Sequence, residues 1–443
     1  MGKLKCLSIM LIALAVSGLL SVTNTKAETT FNSIIDTDTT WTRAGSPYTL
    51  TNDVAIRTGA TLTIEPGVTV NLGSHQLRVY GTLNARGTTD RIAFVGNSGL
   101  IVFDSESGWN EQSGIGCVID NAYFSSIVIA VNGGYPKISN SYFTVSPKTA
   151  IEIYSGSPSI INNVININSK GAIDAHFDSS SVISYNLIVG NGQQYGITVS
   201  GTAIVSNNNI TGCWTGIYAI GASTIQSNIV MNNGNDGIRS NNSATVIENN
   251  VLANNKCGMS GTGIIQYNTI ANNWDAGIWG PLASATITQN NIYSNGQNIH
   301  LTEQYDIDAV NNWWGTADIN AINQTIWDRK NDPVNLGTLN FVLYLSEPNP
   351  NAPSIISSIT IQPTPTLPVI TPTPTSTPNS TVTIEPSTNP TPYWTNTQTP
   401  PESKIPIVDQ ANVSDIFSVA VIALAIAASI VIIVYINKKY GKE

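Results

Sequence analysis

The sequence predicts an all-β protein in which short parallel strands coil, one turn per repeat, into a solenoid of about 13 rungs. Three observations predict it. The chain of 443 residues is 41% apolar but only 11% charged. It is rich in Asn, Thr, Ser, Gly, Ile and Val, and such β-branched and turn-forming residues favour strands and tight turns over helices. Second, an Asn-x-apolar marker recurs at 121, 140, 163, 186, 208, 228, 250, 268, 290 and 312, at intervals of 18 to 23 residues and mostly 22. Third, a Gly or Ala followed by an apolar residue precedes these Asn by 10 to 14 residues, as at Ala150-Ile151, Gly216-Ile217, Gly237-Ile238 and Gly277-Ile278. Units of that size cannot bury a face alone, so they stack. No stretch between them is apolar and long enough for a crossover helix. The net charge of −9 excludes a basic nucleic-acid binder.

Residues 1–27 read as a signal peptide. Lys3 and Lys5 precede an apolar run from Cys6 to Leu20, and the small-residue site Thr25-Lys26-Ala27 follows. Residues 28–115 are expected to form the N-terminal rungs and cap, 116–310 the Asn-marked repeats, and 311–347 a C-terminal cap around Trp313, Trp314 and Trp327. Residues 348–412 hold 15 of the 22 prolines among Thr and Ser. Such a stretch builds no core and reads as a disordered, extended stalk suited to O-glycosylation. Asn-x-Ser/Thr sequons stand at Asn209, Asn241, Asn323, Asn379 and Asn412. The segment 413–436 contains 21 uncharged residues, Ile416 to Ile436, enough for one transmembrane helix. Lys438, Lys439 and Lys442 in the tail 437–443 place that tail in the cytoplasm and the rest outside, as a type I membrane protein at the cell surface. Cys117, Cys213 and Cys257 form no close pair and read as small buried residues.

The repeat Asn has two expected uses. It tolerates the left-handed backbone that a turn between strands requires. Stacked at the ~4.8 Å rung spacing, its amides can bond along a ladder through Asn163, Asn186, Asn208, Asn228, Asn250, Asn268, Asn290 and Asn312.

Strand alternation places candidate chemistry. In 172–178, Ile173, Ala175 and Phe177 should point inward and Asp174, His176 and Asp178 outward. The outer position following each marker apolar residue reads Val128, Glu152, Asp174, Thr198, Tyr218, Arg239, Ser260, Trp279, His300. Glu152 and Asp174 on adjacent rungs make a candidate acid/base or glycosidase pair, with His176 beside them. Asp174 and Asp178 are candidates for a hard cation such as Ca²⁺; no other cofactor is expected. Tyr154, Tyr218 and Trp279, with Trp214 and Trp274, are candidates for stacking on sugar rings, and Arg239 for an acidic sugar.

These repeats resemble the right-handed parallel β-helix proteins of the pectate-lyase-like superfold. The string Gly59-Ala60-Thr61-Leu62-Thr63-Ile64-Glu65-Pro66-Gly67-Val68-Thr69-Val70 looks like the opening rungs of that group. Asn311-Asn312-Trp313-Trp314-Gly315 resembles a terminal segment of archaeal surface-anchored β-helix proteins. The resemblance spans roughly residues 30 to 347. It implies right-handed coiling and a secreted or envelope setting, in a fold that hosts lyases, glycosidases, adhesins and accessory proteins. The Gly-His-Gly string and clustered Asp of the hydrolytic members are missing, as is the lyase acidic cluster with a nearby Arg or Lys base. Three His, and two Met beyond the signal segment, make a poor match to a related copper-maturation group. The expectation is therefore a membrane-anchored surface protein with a binding, adhesion or envelope-structural role, contacting carbohydrate or an envelope protein through its outer strand face. The alternative is a polysaccharide lyase or glycosidase acting at Glu152, Asp174 and His176.

Overall fold

A computed structural model describes residues 28–144, 148–167 and 170–355. The expected signal peptide, transmembrane helix and cytoplasmic tail, and the stalk from residue 356 on, lie outside the described residues. Among the described residues no helix is long and apolar enough to cross a membrane.

Among the described residues, thirty-five strands join one continuous sheet. Three strands per turn make this about twelve turns of a right-handed parallel β-helix. Its most regular part shows the three stacks. The first contains Asn209–Thr211, Ile229–Met231, Val251–Ala253, Thr269–Ala271 and Asn291–Tyr293. The second contains Thr215–Ala219, Asp236–Ser240, Cys257–Gly261, Ala276–Trp279 and Gln297–His300. The third contains Thr224–Gln226, Val246–Glu248, Ile264–Gln266 and Thr286–Thr288. Each stack contributes one inward column. Ile217, Ile238, Met259, Ile278 and Ile299 are fully buried in the second, as are Ile210, Val230, Leu252, Ile270 and Ile292 in the first. Toward the N-terminus the first-stack column becomes Phe94, Phe124 and Phe143, with ring centroids 5.2 and 4.3 Å apart. The core is thus a set of like-on-like columns, the arrangement that parallel in-register rungs impose.

The Asn ladder forms, but its members are not the left-handed residues. From Asn163 to Asn312, each Asn Nδ2 donates to the Oδ1 of the Asn one turn on, at 2.9–3.1 Å. Left-handed backbone falls one residue earlier, at Asn162, Tyr185, Asn207, Ser227, Asn249, Tyr267, Gln289 and Asn311. That residue turns the corner, and the ladder Asn then points inward to satisfy backbone carbonyls the corner leaves bare. Asn121 and Asn140 are themselves left-handed, at φ 51° each, so they occupy the corner rather than the ladder. Ser141 takes the ladder position instead, its N–H donating to Asn163 Oδ1 at 3.0 Å.

A second ladder runs at the next corner, five residues after the first. Asn233, Asn255 and Asn273 each donate Nδ2 to the next Asn, ending at Asn295, at 2.9–3.2 Å. Cys213 starts the row, its N–H donating to Asn233 Oδ1 at 2.9 Å. This ladder explains the Gly of the second repeat marker. A Cβ on Gly258 would lie 2.7 Å from Gly277 O and 2.8 Å from Asn273 Nδ2, and one on Gly237 2.9 Å from Asn255 Nδ2. Gly258→Ala is therefore expected to destabilise the rod by about 1–3 kcal/mol, read as a lower denaturant midpoint, because neither ladder nor backbone can retreat. An unchanged midpoint would show that the second ladder is slack.

The ends differ from the repeats. Trp41, buried, stacks on Tyr48 at 4.8 Å over the N-terminal rungs. At the other end the short helix Ile319–Gln324 starts on an Asp318 cap, and buried Trp314 meets the edge of Phe341. The described chain does not leave the helix at residue 347. Residues 348–355, expected to open the stalk, turn back along the outside of the first stack. Asn349 N–H donates to Asn291 Oδ1 at 2.8 Å, Thr269 Oγ1 donates to Pro353 O, and Ile355 packs beside Ile229, Met231, Val251 and Ala253. Cys117, Cys213 and Cys257, the cysteines among the described residues, are free and buried, and burial pushes the Cys213 and Cys257 thiols up to about 12.

Candidate functional site

The outer column of the second stack follows the predicted register over eight residues, Glu152 to His300. Glu152 pairs with Asp174, Asp174 with Thr198, Thr198 with Tyr218, Tyr218 with Arg239, Arg239 with Ser260, Ser260 with Trp279, and Trp279 with His300. Val128 does not belong to it. Ala130 pairs with Glu152 instead, because the register shifts between Ser125 and Ile127, where Ser126 is left-handed, and Val128 becomes buried. Phe177 does not point inward either. Ser155 pairs with Asp178 rather than Phe177, so a bulge inserts one residue, the alternation resets, and Phe177 stands 72% exposed.

Two groups of side chains result. At the upper group the Tyr154 hydroxyl donates to Glu152 Oε2, the Tyr154 ring stacks on His176 at 4.9 Å, and His176 Nε2 lies 3.8 Å from Asp174 Oδ2. The Glu152 bond and burial raise the Tyr154 phenol to about 12, so it stays protonated and holds Glu152 as an acceptor. Burial pushes the Asp174 carboxyl up; His176 opposes the shift and the Glu152 charge adds to it. The native state therefore holds this proton more tightly than the unfolded chain does. Asp174 thus lowers stability as pH rises from the unfolded value, ~3.9, through the raised native one. Asp174→Asn is expected to gain on the wild type across that window and to hold a constant lead above it. Denaturation midpoints from pH 3 to 7 measure it; a lead independent of pH would remove the Asp174 proton from the account. Asp178 is exposed beside the bulge. Among the described residues no group of three or more His, Cys, Asp or Glu is placed to hold a metal, so the Asp174 and Asp178 candidates are not drawn into a cation site.

The lower group is a groove. A cavity of about 430 Å³ is lined by Asp236, Arg239, Lys256, Ser260, Asp275 and Trp279 among others, without Glu152, Asp174 or His176. Burial pushes the Asp236 carboxyl up, against the Ser260 hydrogen bond and the Arg239 and Lys256 charges. Lys256 Nζ lies 3.9 Å from Asp275 Oδ2 and 5.7 Å from the centre of the Trp274 ring.

The rung spacing decides what the aromatics can do. Neighbours in one outer column stack ring on ring along the rod axis and cover each other's faces. Tyr218 meets its column neighbour Arg239 on one rung and, on the other, the ring of Tyr195 from the start of the neighbouring strand, each 5.5 Å away. Trp279 stacks on His300 at 4.0 Å, and His300 on Trp327 at 5.5 Å. The other column neighbour of Trp279 is Ser260, which is small, and there the groove opens. Trp279 thus keeps one face toward the cavity. Trp214 and Trp274 are 46% and 67% exposed at the corner between first and second stacks, outside this column.

Sequence reasoning missed Lys256, Asp236 and Asp275, which lie off the column, and placed Trp327 in the cap alone. The signal for Trp327 was weak, since its strand Ile326–Trp327 follows the cap helix and not a repeat. The hairpin of Trp109–Asn110 with Ile115–Gly116 was also unforeseen. Side chains of the rungs pin it to the helix: Arg86 and Lys137 lie over the Trp109 ring at 4.8 and 5.5 Å, and Glu111 pairs with Lys137 at 2.7 Å.

With the geometry in place, the chain is of the right-handed parallel β-helix class. A family model described as a right handed beta helix region matches residues 195–335, the stretch that holds the second ladder, the groove and the first ladder from Asn208 on. No match emerges among curated proteins or solved structures.

Proposed function

We propose that this β-helix is a surface-anchored binding protein whose second-stack face contacts carbohydrate at the groove below Arg239. The observation that carries the reading is the open face of Trp279 in a cavity walled by Arg239, Lys256, Asp236 and Asp275. An aromatic face with charged and hydroxyl groups around it suits the apolar side and the hydroxyls of a sugar ring. The surface setting rests on the signal-like segment 1–27 and the apolar segment 413–436 of the sequence. An adhesive or envelope-structural role is compatible with the same rod.

The alternative is a lyase or glycosidase at Glu152, Asp174 and His176. It is favoured by two carboxylates on adjacent rungs, one of which holds its proton more tightly than usual. It is disfavoured because the groove lies elsewhere.

The test uses the full chain in detergent against a polysaccharide panel, scored for retention and for new reducing or unsaturated ends. Retention without cleavage, lost in Trp279→Ala and kept in Glu152→Gln, supports the binding reading. Cleavage that disappears in Glu152→Gln or Asp174→Asn replaces it with the enzyme, and neither retention nor cleavage leaves the rod an envelope-structural role.

A further inference from the structure

We infer that Asn241 is the acceptor for an N-linked glycan, and that this glycan roots at the lip of the groove. Three sequons fall on described residues, and the fold separates them. Asn209 lies within the first-stack strand Asn209–Thr211, between hydrogen-bonded neighbours on both sides, and its Oδ1 is buried. Asn323 is exposed, but the hydroxyl of its sequon, Thr325, donates to Ile322 O at 2.8 Å and accepts from Asn298 Nδ2 at 3.0 Å. Asn241 and Ser243 are both exposed, in the turn between Asp236–Ser240 and Val246–Glu248. A transferase needs the acceptor amide and the sequon hydroxyl presented together on an accessible turn.

The attachment fits the local bonding. Asn241 Nδ2 donates to the Tyr218 hydroxyl at 2.9 Å. Transfer forms one bond from Nδ2 to the anomeric carbon of the first sugar. It breaks the bond from that carbon to a phosphate oxygen of a polyprenyl-phosphate-linked oligosaccharide, and one amide proton leaves to a base of the transferase. The second N–H remains, so the Tyr218 bond is kept. Asn241 also lines the cavity with Arg239 and Trp279, so the attached sugar borders the ligand groove from the third-stack side.

The inference rests on the chain being exported. The test takes the full chain from the membrane and cytosolic fractions of its own cells and reads peptide masses over residues 209, 241 and 323 together with the N-terminal peptide. The expected result is a mature N-terminus, a saccharide mass on the Asn241 peptide that Ser243→Ala abolishes, and bare Asn209 and Asn323. A bare Asn241 on a chain with its signal removed overturns the inference and leaves export standing. A retained signal on a cytosolic chain overturns both. Saccharide on Asn209 overturns the sorting by the fold.

Discussion

Asn250→Ala is expected to lower the stability of the rod by about 3–5 kcal/mol, as a large drop in the denaturant midpoint. The Asn250 side chain is fully buried and makes five hydrogen bonds. Its Oδ1 accepts from Asn228 N and Nδ2; its Nδ2 donates to Ile225 O, Glu248 O and Asn268 Oδ1. Alanine removes all five and leaves the partners without water to replace it, each unmet buried group costing about 1–3 kcal/mol, partly offset by relaxation. Asn250→Asp should fare no better at neutral pH, since a carboxylate has no N–H to give the two carbonyls and Asn268. Asn249 supplies the control. It holds the left-handed corner at φ 56° and is only half-buried, so Asn249→Ala should cost about 1 kcal/mol and Asn249→Gly almost nothing. Equal losses at 249 and 250 would mean that backbone conformation, and not the ladder, holds the corner.

Trp279→Ala is expected to weaken glycan retention by about tenfold to a hundredfold, or ~1.4–2.8 kcal/mol. The indole is the face the groove offers, and its removal also leaves His300 without the partner it stacks on at 4.0 Å. Trp279→Phe keeps an apolar face and should recover part of the loss. Tyr218→Phe is the contrast, because that ring is covered on both sides by Tyr195 and Arg239, and retention should change less than twofold. A Trp279→Ala chain that binds as well as the wild type, with its midpoint unchanged, would move the contact surface away from the groove.

The repeat made most of this architecture legible. Eight ladder Asn and eight members of the outer column follow from spacing alone, because a parallel rung offers one register per turn. What escaped has a physical cause in each case. The second ladder was present as Asn five residues after the first marker, at 233, 255, 273 and 295, but a Cys stands in its first place at 213. The Gly beside each apolar marker was legible as a repeat and not as a consequence of that ladder. Phe177 and Val128 were misplaced because alternation fails at a bulge, and no residue type in 172–178 or 122–132 announces one. The groove was half legible. Arg239 and Trp279 lie on the column, whereas Lys256 and Asp275 reach it from the corner, where strand alternation gives no guidance, and Asp236 opens its strand in phase with inward Ile238, where alternation points it away from the outer face.

The returning segment 348–355 has a mechanical consequence. Its contacts are taken up in order from the C-terminal side, Asn349 on Asn291, Pro353 on Thr269, and Ile355 beside Val251 and Ile229. A pull on the chain beyond residue 355, directed off the rod, meets Ile355 first, then the Pro353 bond, then Asn349. These contacts yield one at a time, as a strip of tape peels, at a force far below that needed to shear them together. The strip gives way before the rungs are pulled apart, so a load on residue 355 is met first by a length of chain that can be released without unfolding the coil.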